Sequence, residues 1–152
     1  DLRRARRAYL EALEADPAYD PAMDSLASIC EAEGKWIEAI DWRKRHFRQT
    51  RSTGDLTGLA DLYLRLGHAP AAMKYARSAV RRSPRQAAAW LHFAKAHAAG
   101  VRPGRAVEGL RRFARLATPE AGPFLTSRDF GLLEPILGLP EVRALLPRLP
   151  VQ

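Results

Sequence analysis

Four histidines, one cysteine and six serines are the side chains of this 152-residue chain with the chemistry of metal ligands or nucleophiles. His46, His68, His92 and His97 have no metal-ligand spacing. His92 and His97 are five residues apart and diverge by about 140° on a helix of 3.6 residues per turn. Cys30 belongs to no motif that ties it to a histidine, and a lone cysteine cannot build an internal disulfide. None of the serines stands in the strand-to-helix turn that exposes a hydrolase nucleophile. Gly100-Val101-Arg102-Pro103-Gly104 is glycine-rich but lacks the lysine and hydroxyl residue that hold phosphates and magnesium in a phosphate loop. Glu31 and Glu33 point to different sides of their helix, so they do not form a carboxylate pair. These residues predict no catalytic site, no metal and no cofactor.

Charge offers a different chemistry. The chain has 25 Lys and Arg against 17 Asp and Glu, a net charge of +8. Residues 65–115 hold 12 basic groups and 1 acidic group, so the excess is concentrated there. Such a concentration can attract phosphates, anionic lipid or an acidic protein. Arginine outnumbers lysine 21 to 4, which GC-rich codon bias also produces, so a merely solvated charged face remains the competing reading.

What positions these side chains is a repeat. Ala5, Ala39, Ala72 and Ala106 follow one another at intervals of 34, 33 and 34 residues. A period of that length marks one supersecondary unit copied along the chain, each copy too small to bury its apolar face alone. Apolar residues at helical spacing predict helices near 2–15, 20–33, 36–50, 54–66, 70–82, 86–99 and 103–117, and no stretch alternates with the period of a strand. Ser83-Pro84-Arg85-Gln86 reads as a capping box and Asp20-Pro21 as an aspartate N-cap before proline. Small residues at Ala27, Ala60 and Ala94 let paired helices approach closely, and Tyr9, Trp36, Tyr63, Trp90 and Phe113 fill the wider gaps between layers. Cys30 falls in the slot of Tyr63 and reads as a packed core residue; His97, in the same slot, reads as a satisfied core polar group.

The helix openings Met23-x2-Leu26-Ala27-x2-Cys30, Leu56-x2-Leu59-Ala60-x2-Tyr63 and Trp90-x2-Phe93-Ala94-x2-His97, each followed by a glycine turn at Gly34, Gly67 or Gly100, resemble the tetratricopeptide repeat. Two features depart from its pattern: Arg43, His46 and Arg51 replace an apolar residue, a small residue and proline, and the last copy ends late, at Thr118-Pro119. The resemblance covers about three and a half repeats, residues 1–118, divided at 1–19, 20–52, 53–86 and 87–118. It implies an all-α, right-handed solenoid of antiparallel helix pairs.

The resemblance also implies a ligand groove lined by the first helix of each pair. Carried over slot by slot, that groove consists of Asp24, Ser28 and Glu31, then Thr57, Asp61, Leu64 and Arg65, then Leu91, Lys95 and Ala98. It is acidic at one end and basic at the other, suited to an extended or helical peptide of complementary polarity. The chain has no asparagine, so the asparagine-containing carboxylate clamp of some family members is absent. On the second helices, Lys74, Arg77, Arg81, Arg82, Arg105, Arg111, Arg112 and Arg115 form a basic stripe on the outer, convex side, with no aromatic interleaved.

Residues 119–152 carry no repeat landmark. They are rich in proline and in large apolar residues from Phe124 to Leu146, and read as short helices capping the open end of the array, or as an amphipathic docking segment. No apolar run reaches the length of a membrane span, and no signal peptide is visible, so a cytoplasmic location is expected. The chain opens in the second helix of a repeat, which leads us to expect that the first half of that repeat precedes it, with room there for a targeting signal or further domain. The function expected is a scaffold that binds a peptide or protein in the groove. The alternatives are an electrostatic binder of nucleic acid or an anionic surface through the convex arginines, and an accessory domain of a larger enzyme.

Overall fold

The computed structural model describes residues 1–117 and 125–149, so Thr118-Pro119 and Phe124 lie outside the described residues. Seven helices lie in the repeat region: α1 (Leu2–Ala15), α2 (Asp20–Ala32), α3 (Trp36–Thr50), α4 (Thr53–Arg65), α5 (Ala69–Arg82), α6 (Ala87–Ala99) and α7 (Pro103–Leu116). Two more follow, α8 (Ser127–Leu137) and α9 (Pro140–Arg143), and then a 3-10 turn at Leu146–Arg148. Helix pairs α2/α3, α4/α5 and α6/α7 stack on one another, with α1 packed on α2, so the chain is an all-α repeat solenoid.

Small residues set the spacing. Ala27, Ala39, Ala60, Ala72, Ala94 and Ala106 are all fully buried where paired helices meet. Gly109 extends the same device: a Cβ there would lie 2.9 Å from the Cβ and backbone nitrogen of Ala94, so any side chain would push α7 off α6. Aromatic residues join the layers. Tyr63 and Tyr75 stack at 5.5 Å between centroids and link the α2–α4 core to the α4–α6 core, while Trp90 touches both the latter and the core under α8.

Three local readings of the sequence give way to tertiary context. Gln86, not Ser83, is the N-cap of α6; Ser83 ends α5, and its hydroxyl is 2.7 Å from that of Thr53. Asp20 is the first residue of α2, with Tyr19 before it at the cap. The third repeat turn also differs. Gly34 and Gly67 end the first helices of their pairs at φ +72° and +70°, and the equivalent residue before α7 is Val101 at φ +54°, not Gly100. The hydrogen bond that closes the turn is the same in all three, Lys35 to Cys30, His68 to Tyr63 and Arg102 to His97, each 2.8 Å. Gly100 serves packing instead, since a Cβ there would sit 2.8 Å from the sulfur of Met73.

A β-branched residue in the left-handed region is strained by about 1–2 kcal/mol. Val101 is 82% exposed and buries nothing in return. Val101→Gly is therefore expected to stabilise the protein by about 1 kcal/mol after the entropic cost of glycine, raising the melting temperature by roughly 2–4 °C. A thermal melt that is unchanged or lowered would show that the valine is held there by something other than the turn.

Candidate functional site

Two polar assemblies interrupt the apolar core, and both lie along the face formed by the first helices. The first explains the departures at Arg43 and His46. Arg43 projects from α3 between α2 and α4, where its guanidinium is 2.6 Å from Glu31, 3.6 Å from Asp24 and 3.5 Å from Asp55. Gly58 leaves the room: a Cβ there would be 2.7 Å from Arg43 Nε. His46 Nδ1 lies 2.7 Å from the other oxygen of Asp55, which is almost fully buried. A charged network thus fills the slots where the family pattern has apolar and small residues, as burial of Asp55 demands a partner. Asp24, His46 and Asp55 bring ligand atoms within 4.8 Å of one another, but Arg43 already supplies the positive charge at that point.

The second assembly is centred on Lys95. Its ammonium donates to Asp129 Oδ1 at 2.7 Å and lies 3.6 Å from Asp61. Asp61 in turn receives Arg65 Nε at 3.0 Å and Arg128 Nη1 at 3.4 Å, so α4, α6 and α8 are tied through one carboxylate. Asp129 is positioned by the start of α8: the Thr126 hydroxyl and backbone N–H both donate to its second oxygen, in a capping box. Its charge-assisted bonds to Lys95 and Thr126 outweigh its burial and hold the carboxyl below the usual range. Asp61 is held low in the same way, with Lys95 as its strongest favourable partner against the cost of burial. Beside them, burial and the neighbouring Lys95 push His92 down to about 3, so that imidazole is neutral, with Nδ1 closed off and without a partner among the described residues.

The structure sorts the expected groove residues into two groups. Leu91, Lys95 and Ala98 are covered, since α8 packs chiefly against α6; Thr57 and Leu64 on α4 are buried as well. These five side chains therefore do not line an open groove in this conformation. Asp24 and Ser28 are exposed, Glu31 and Asp61 half-buried, and Arg65 exposed, so the accessible part of that face runs from α2 to the edge of α8. Arg128, which the repeat pattern could not reveal because it lies beyond the repeats, joins this edge through its bond to Asp61.

On the outer side, Lys74, Arg77, Arg81, Arg82, Arg105, Arg111, Arg112 and Arg115 are all exposed. Two half-buried rings adjoin this stripe from beneath: Lys74 lies 5.8 Å from the Tyr75 ring centroid and Arg112 5.5 Å from that of Trp90. A cleft of about 310 Å3 opens elsewhere, between α1 and α3, with Leu13, Trp42, Arg45 and Arg48 in its walls. Cys30 is fully buried, and burial raises its thiol pKa, which disfavours the thiolate needed for nucleophilic chemistry. Among the described residues no helix is long and apolar enough to cross a membrane.

Residues 53–96 match the tetratricopeptide repeat family profile. Among curated protein sequences there is no significant match. Solved structures share the fold across almost the whole chain. YrrB, described as a TPR protein with an unusual peptide-binding site, is 17% identical with a TM-score of 0.73, over 97% of this chain and 75% of YrrB. MamA is 18% identical with a TM-score of 0.75, over 97% of this chain and 88% of MamA. TTC0263, a thermophilic TPR protein of Thermus thermophilus, is 22% identical with a TM-score of 0.68, over 94% of this chain and 77% of TTC0263.

Proposed function

From the tetratricopeptide match at residues 53–96 and the fold shared with tetratricopeptide structures, we propose that the chain is a protein-interaction scaffold of that family whose binding surface is the accessible part of the first-helix face, from α2 to the edge of α8. The observation that carries this reading is the side that α2 leaves uncovered. Asp20, Asp24, Ser28 and Glu31 fall within about 80° of one another on a helix advancing 100° per residue, and Asp20, Asp24 and Ser28 are exposed. Of the three carboxylates there, Asp24 and Glu31 share one buried-side arginine, Arg43, and Asp20 lies 3.8 Å from His46, so the surface is acidic and favours a segment with basic side chains. The peptide-binding description of YrrB, which shares the fold, supports the same class of partner. Binding, not catalysis, is the role this surface suits: its charged groups are engaged in ion pairs with one another.

Selection of a displayed random-peptide library on the full chain tests the reading. Enriched peptides are expected to be basic and to lose about tenfold in affinity for the variant Asp24→Lys, whose site is exposed and outside the core. The same peptides should bind normally to a protein with Arg77, Arg81, Arg111 and Arg115 changed to glutamate. If that variant loses binding while Asp24→Lys retains it, the convex arginines are the functional surface and the groove reading is overturned.

A further inference from the structure

Helix α8 does more than cover α6: it rebuilds the end of the binding face with a charge opposite to that at α2. Around Asp61, the three cations Arg65, Lys95 and Arg128 face two carboxylates among the described residues, Asp61 and Asp129. Lys95 is spent, being buried between the two acids. The guanidiniums are not. Each has five N–H donors, and Asp61 takes one from each. The side chain of Arg128 remains 40% exposed and that of Arg65 35% exposed, the latter resting on the Trp36 ring at 4.8 Å. The ring holds Arg65, and the shared Asp61 carboxylate draws Arg128 to its side, so the two guanidiniums lie together with donors left to fork onto a further carboxylate.

Building on the groove reading above, we propose that Arg65 and Arg128 form an acidic-group subsite, so that the partner is a peptide segment with basic side chains at α2 and a carboxylate at the α8 edge. Charge complementarity is what selects this occupant: the face is acidic at Asp20, Asp24 and Glu31 and carries an uncompensated positive charge at Arg65 and Arg128. Neighbouring helices pack about 8–10 Å apart and rise about 1.5 Å per residue, so Asp24 in the first turns of α2 and Arg65 at the end of α4 are separated by roughly 14–20 Å. An extended chain advancing about 3.3 Å per residue crosses that span in roughly 4 to 6 residues. A partner of a single charge sign satisfies one end and is repelled at the other.

The test uses the full chain and three labelled synthetic peptides: a block peptide with two lysines and two glutamates about four residues further on, an isomer with the same residues alternating, and an all-lysine peptide. Binding is read by fluorescence anisotropy at low salt. The block peptide is expected to bind about tenfold more tightly than either of the others. In Arg65→Gln/Arg128→Gln its affinity should fall to that of the all-lysine peptide, while the affinity of the all-lysine peptide stays the same or rises. A merely structural role for the two arginines would weaken both peptides alike, and a matching thermal melt of the variant separates loss of fold from loss of site. Equal binding of block and all-lysine peptides, with both weakened by Asp24→Lys, would sink the acidic subsite and leave the groove reading standing. Binding of the block peptide that no groove substitution affects, or no binding up to about 1 mM, would overturn both.

Discussion

Asp129→Ala is expected to cost about 3 kcal/mol of stability, measured by urea unfolding at neutral pH. Removing one partner of a buried ion pair typically costs about 3–5 kcal/mol, because the remaining charge is left desolvated. Here that charge is Lys95, 5% exposed, with Asp61 at 3.6 Å as its only other carboxylate among the described residues. The partial compensation by Asp61 favours the low end of the range. The substitution also removes the capping box with Thr126, so the start of α8 loses its hold on the array. A double replacement, Lys95→Met with Asp129→Leu, should recover most of the loss, since apolar groups of similar volume replace a buried pair at little cost. If Asp129→Ala alone proved neutral, α8 would have to be held by its apolar side chains, Leu133 and Ile136 among them, and the Lys95–Asp129 pair would not be what anchors Arg128 at the binding face.

The same assembly marks the boundary of what the sequence could disclose. Helix positions were legible because each depends on apolar spacing within its own segment, and the expected bounds fall within about one residue of α1 to α7. The position of α8 depends instead on contacts between residues far apart in sequence. Lys95 and Asp129 are 34 residues apart, and neither is unusual in its own segment. One local signal for α8 is present in the sequence: Thr126 and Asp129, with threonine three residues before an acid, have the form of an N-terminal capping box at the start of an apolar run. The converse error was Ser83, which has the capping pattern but is drawn to Thr53 in the neighbouring repeat. Arg43 and His46 counted as departures from the family pattern because the pattern records one side chain at a time. Their partners Asp55 and Glu31 and the space above Gly58 belong to other helices, and only together do they make a buried charge tolerable. Of the expected groove slots, those on α2 and Asp61 and Arg65 on α4 lie on an accessible face, whereas those on α6 are covered, because no slot rule indicates that the chain folds back onto its own face.

His97 is where the sequence reading and the structure differ most in energy. The slot of Tyr63 predicts a satisfied polar group there, yet His97 is 5% exposed and neither ring nitrogen has a partner among the described residues. The imidazole packs on Phe93 at 4.2 Å, and burial, reinforced by Arg77, Arg105 and Arg102, lowers its pKa from 6.5 to about 4. In the unfolded chain the imidazole titrates near 6.5, so between about pH 6.5 and 4 the unfolded state binds a proton that the folded state refuses. Stability must therefore fall as the pH drops through that window, by about 3 kcal/mol in total from this group. His92, lowered to about 3 with the same sign, contributes a second proton over an overlapping range. His97→Leu keeps a similar volume, removes both unpartnered nitrogens and is expected to stabilise the protein at pH 7 by about 1–2 kcal/mol. The sharper readout is the slope. Unfolding free energies measured by urea titration between about pH 6 and 5 should lose close to one proton of pH dependence in the variant, about 1.4 kcal/mol per pH unit, while the contribution of His92 persists. An unchanged slope would mean that the His97 ring gains a partner in solution and titrates normally, and the gain at neutral pH would then disappear with it.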